Sequence, residues 1–131
     1  MTSTQPNKGA GQRRPIEQFN TVRTQPALGQ AAPAATSATT LYTCPVQRTA
    51  RGRVFISEQG GSSATYRLSL RPDGDAQADK HYLVYDRSLA ANDDEHTVEL
   101  FLDTTDVLTV YASTGDLNFS FIGQTEPKDR P

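Results

Sequence analysis

A chain of 131 residues has room for one ordinary domain and is too short for two. Its single cysteine, Cys44, excludes an intrachain disulfide framework, no run approaches the ~20 apolar residues of a membrane span, and the first residues lack the apolar core of a secretory signal. Charge is unevenly placed: residues 1–40 hold Lys8, Arg13, Arg14 and Arg23 against Glu17, a net +3, so the total of −2 leaves −5 for the rest, and four basic residues in forty are too sparse for specific nucleic-acid binding.

Residues 1–40 are dominated by Thr, Ser, Gln, Pro, Gly and Ala. Beyond Met1 their only large apolar residues are Ile16, Phe19, Val22 and Leu28. Such a stretch buries too little apolar surface to offset its ordering entropy, so it is expected to be an extended, polar arm and linker. Prolines at 6, 15, 26 and 33 interrupt any long helix or strand. Arg14-Pro15-Ile16-Glu17-Gln18-Phe19 fits a single helical turn with Pro15 at its first position, which sets Ile16 and Phe19 on one face. Residues 30–40 read as a flexible linker.

From Leu41 the apolar period becomes two. Leu41 to Cys44 is a short strand stopped by Pro45, and Arg51 to Ser57 is a second around Val54, Phe55 and Ile56. Glu58 to Ser63 is a Gly-rich loop. In Thr65 to Arg71, Tyr66, Leu68 and Leu70 alternate with Arg67, Ser69 and Arg71, the mark of a half-buried strand. Pro72-Asp73-Gly74-Asp75 has turn chemistry. His81 to Asp86 is an aromatic, β-branched strand, His96 to Leu102 alternates, Asp106 to Tyr111 follows, and Leu117 to Ile122 is the last strand, after a Ser113-Thr114-Gly115-Asp116 hairpin turn. About seven short strands without a convincing helix predict an all-β chain: a single antiparallel β-sandwich or jelly-roll-like domain over 41–123, with the arm at 1–40 and a tail at 124–131.

Catalytic and cofactor chemistry is not expected. His81 and His96 lack nearby ligand partners for zinc. Asp73, Asp75 and Asp79, and the run Asn92 to Glu95, do not follow calcium-loop spacing and read as solvated turns. No serine lies in a nucleophile turn, Gly60-Gly61 is not followed by a Lys-Ser/Thr helix, and Cys44 reads as a small half-buried apolar residue. The cluster Lys80, His81, Tyr82 and Tyr85 is richer in polar and aromatic groups than a plain strand needs, and is expected at a contact between subunits.

Certain blocks resemble a family of small virion proteins of tailed bacteriophages. They are Leu41-Tyr42-Thr43-Cys44-Pro45, Arg71 to Asp86 with its Ala78-Asp79-Lys80-His81-Tyr82 core, Leu89 to Asp93, Asp106 to Ser113 with Val110-Tyr111-Ala112-Ser113, and Phe119 to Gly123. The resemblance covers 41–123 and leaves out the arm; where family members often carry a Cys-Asn pair, this chain has Ser57-Glu58. It implies a non-enzymatic structural protein of the virion, assembled in the host cytoplasm, without cofactor or membrane. It would decorate the capsid or join the neck, tail or fibre-attachment apparatus, as a homo-oligomer among other virion proteins. In that setting Arg13, Arg14, Ile16, Phe19, Val22, Arg23 and Leu28 are expected to anchor the basic arm to neighbouring acidic bodies. The alternative is a carbohydrate or host-surface binding module, which the absence of tryptophan disfavours.

Overall fold

The structure, a computed structural model, describes residues 26–128. Among the described residues nine strands form two antiparallel sheets: β1 (Ala27–Ala31), β2 (Thr39–Thr43), β3 (Arg48–Glu58), β4 (Ala64–Arg71), β5 (Tyr82–Leu89), β6 (Asp94–His96), β7 (Leu100–Leu102), β8 (Val107–Ala112) and β9 (Leu117–Pro127). One sheet runs β1-β9-β3-β6, with β7 also on β3; the other runs β2-β8-β4-β5. The chain is thus an all-β sandwich, and its sheets meet through the alternating residues that the period of two exposed.

The central pair is β3 with β9, in continuous register from Arg48↔Pro127 to Glu58↔Leu117. Val54, Ile56, Leu117, Phe119 and Phe121 point inward from it, and Leu41, Tyr66, Leu68, Leu108 and Val110 answer from the other sheet. Two ring contacts stitch the layers: Phe121 on Tyr42 at 5.4 Å and Phe119 edge-on to Tyr66 at 5.8 Å. Fully burying side chains of this size contributes about 1.5–3 kcal/mol each before entropy is charged against it, enough to hold a small domain. Cys44 is buried in this core, its thiol 3.3 Å from the Arg48 carbonyl.

Three boundaries differ from expectation. The sheet begins at Ala27, not at Leu41: β1 pairs with β9 through Gly29↔Phe121, Gln30↔Ser120 and Ala31↔Phe119, and Leu28 packs against the core of its own domain. An edge strand with one leucine is held by its neighbour's hydrogen bonds, so its composition resembles a linker. The stretch from His96 to Leu102 is two three-residue strands. Thr97 leaves the ladder to bond Val54 twice, accepting its N–H on Oγ1 and donating its own N–H to its carbonyl, both at 3.0 Å. Finally, β9 continues through Pro127, so residues 124–127 belong to the sheet.

The two long sides of the sandwich are unlike. On one, β1 lies against β2 so closely that a β-carbon on Gly29 would press into the Leu41 carbonyl and stand 3.3 Å from the Tyr42 β-carbon. That side is sealed by backbone meeting backbone. On the other, β5 and the β6–β7 edge do not close over each other.

Candidate functional site

The open side forms a trough of about 430 Å³. Its floor is Tyr66 and Leu68 of β4; Leu83, Val84 and Arg87 of β5 make one wall, and the stretch from Glu95 to Leu100 makes the other. Two apolar groups here are bare: Val98 is 75% and Leu83 50% exposed. Each of β5, β6 and β7 pairs on one edge only among the described residues, so the trough lies between two free sheet edges.

One end of the trough is polar and fixed. The buried Tyr66 hydroxyl donates to the Glu95 carboxylate, which also accepts from Arg87 Nε at 3.0 Å. Burial, and then the Glu95 carboxylate, push the Tyr66 phenol well above its ordinary value, so the hydroxyl stays protonated as a donor. This triad ties β4, β5 and β6 together and holds the trough open at that end. It offers a hydrogen-bonding terminus to an apolar slot, without the base–nucleophile pairing that covalent catalysis needs.

A second surface lies on the outer face of the β2-β8-β4-β5 sheet. Arg67 bonds Asp86 at 2.6 Å, and its guanidinium lies over two rings, Tyr85 at 4.2 Å and Tyr111 at 4.3 Å from their centroids. Tyr82 meets Tyr85 edge-on at 4.9 Å. Asp86 has a positive φ of 52° at the irregularity in β4–β5 pairing, which turns its carboxylate back towards Arg67. Tyr85 is 58% exposed, so the patch is an ordered, amphipathic surface.

Of the residues expected at subunit contacts, Tyr82 and Tyr85 lie together on that outer face, with Lys80 exposed nearby in the 3-10 turn Asp79–His81. His81 does not join them: it is 5% exposed, and its Nδ1 accepts the Ala78 N–H at 3.1 Å. Its ring closes the turn locally, which alternation could not foretell because the turn precedes the strand. Leu28 serves its own core. Arg13, Arg14, Ile16, Phe19, Val22 and Arg23 lie outside the described residues.

At the start of the loop between β3 and β4 lies an anchored carboxylate that strand alternation does not reveal. The Glu58 carboxylate accepts N–H groups from Asn92 and Gly60, each at 2.8 Å, and from Gly61 at 3.2 Å. These donors, Asn92 foremost, hold it below the usual carboxylate range although it is buried. A glutamate two residues before a Gly-Gly pair is the available signal; its partner Asn92 lies too far along the chain to read. Among the described residues no three His, Cys, Asp or Glu side chains gather as a metal group.

No family model matches the chain, and no curated protein does. Among solved structures it is similar to the Anabaena sensory rhodopsin transducer, with 15% identity and a TM-score of 0.35, over 76% of this chain and 93% of that one. A likeness so distant bears on neither activity nor partner.

Proposed function

We propose that the chain is a non-enzymatic structural component of a bacteriophage particle, an accessory capsid-decoration or neck, tail or fibre-attachment protein that joins neighbouring subunits. The observation that carries the assembly role is the open trough. Val98 and Leu83 leave apolar surface exposed on the two facing edges of the trough, and such patches mark association sites. The tyrosine–arginine face supplies a second surface of the composition favoured at contact centres. The resemblance of 41–123 to small virion proteins supplies the setting. The sugar-binding alternative gains less, because Arg67 already covers a face of both Tyr85 and Tyr111.

The test is quantitative mass spectrometry of gradient-purified particles from a phage that encodes the chain. The reading expects a fixed copy number relative to the major capsid protein, and loss of incorporation with retained solubility when Leu83 and Val98 both become Asp. Absence of the chain from purified particles overturns it.

A further inference from the structure

We infer that the trough between β5 and the β6–β7 edge is the docking site for residues 13–23 of a neighbouring copy of this chain. The inference rests on the assembly reading above and names its site and occupant.

The trough's chemistry sets what fits. Leu68, Leu83, Val84, Val98 and Leu100 give it an aliphatic stretch, and Tyr66, Arg87 and Glu95 make its polar end. Its volume lies in the range of roughly 300–1,000 Å³ in which pockets enclose apolar groups. One wall belongs to a run, Asp93 to Glu99, with four carboxylates and neither lysine nor arginine. Glu95 is neutralised by Arg87, whereas Asp94 and Glu99 are exposed and have no ion-pair partner among the described residues. The site therefore suits an apolar segment flanked by positive charge.

The chain carries one such segment ahead of the described residues. Ile16, Phe19 and Val22 recur at three-residue spacing, bracketed by Arg13 and Arg14 on one side and Arg23 on the other. Residues 1–25 carry +3, with four basic residues against Glu17; residues 26–128 carry −5, with eight against thirteen. Opposite charge draws the segment to the body, and the bare carboxylates beside the trough give that attraction an address.

The geometry points to a neighbour's segment. The chain enters the fold at Pro26, whose carbonyl accepts the Gly123 N–H at 3.1 Å, on the β1 edge opposite the trough. Reaching its own trough means crossing three strand spacings, roughly 14 Å, over an outer sheet face. Arg51 and Arg53 stand exposed on one such face and Arg67 and Arg71 half-buried on the other; with Arg51 paired to Glu126 and Arg67 to Asp86, Arg53 and Arg71 are the like charge that a basic segment meets on either route. A second copy can present the segment to the trough directly.

Disulfide trapping in the full chain tests this, with the buried Cys44 left in place. A Phe19→Cys variant is mixed with a Val98→Cys variant and mildly oxidised; the control replaces the second with Val46→Cys, at an exposed position away from the trough. Linked dimers joining positions 19 and 98, identified by peptide mapping, are expected at least tenfold above the control. Equal yields overturn the inference. So does a double Phe19→Cys/Val98→Cys chain that closes only on itself. Light-scattering mass on the untreated full chain separates the two claims: oligomers without the 19–98 link refute this docking site and leave the assembly reading standing, whereas a monomer at every concentration, without the link, refutes both.

Discussion

Replacing Gly29 with Ala tests whether the sandwich is sealed by β1. A β-carbon there would overlap the Leu41 carbonyl and crowd the Tyr42 β-carbon, and both are held by β2 pairing with β8. Backbone cannot swing aside as a flexible side chain can, so β1 or β2 must move by about an ångström or β1 must detach. Overpacking of this kind costs about 1–3 kcal/mol. For a domain near 100 residues each kcal/mol shifts the melting point by about 4–8 °C, so a fall of roughly 5–25 °C is expected by thermal circular dichroism. Gly115 is the control, since an added β-carbon there meets nothing within 4 Å; Gly115→Ala should stay within about 0.5 kcal/mol of the parent. Amide exchange adds a local readout: Gln30 and Ala31 should lose protection in Gly29→Ala before the β3–β9 pair does. Equal melting points for the two variants would refute the placement of residues 27–31 in the sheet.

Three further outcomes follow from side chains. Cys44 should resist alkylation in the folded protein and react once denatured, because it is buried and burial pushes its thiol above the ordinary value, leaving little thiolate; rapid modification under native conditions would contradict its place in the core. Glu58 is held below its unfolded value, so its contribution to stability is present above the unfolded carboxylate pKa of about 4.3 and is lost as pH falls through the lower folded value; Glu58→Gln should therefore lower the melting point at pH 7 and flatten its fall on acidification, and a parallel pH profile would contradict the loop anchor. Replacing Tyr82 and Tyr85 with Ser removes a ring pair and one face of the Arg67 stack, costing about 1–2.5 kcal/mol; the fold should persist by circular dichroism while oligomerisation weakens, and an unchanged oligomer would remove that face from the interface.

The strands that build the core were legible because burial imposes a period of two. Tyr66 and Leu68, and Phe119 and Phe121, share one face by alternation in the sequence and point inward in the fold. What alternation could not show is whatever depends on a distant partner. β1 is a strand because β9 offers it hydrogen bonds, and its Ala-Leu-Gly-Gln-Ala composition says little alone. Thr97 breaks an apparently continuous strand because its hydroxyl finds Val54 across the sheet. The trough is a relation between edges contributed by β5 and by 94–100, and Val98, which alternates like a core residue, lies in it largely exposed. His81 shows the opposite failure: a polar residue placed at the surface by its neighbours is turned in by a local hydrogen bond to Ala78.

The most direct measurement is a cryo-EM map of purified particles in which this fold can be placed. The account predicts copies at symmetry-related positions, each trough filled by density traceable to residues 13–23 of an adjacent copy. A map in which the fold is absent, or is present with Leu83 and Val98 facing open solvent, would contradict it.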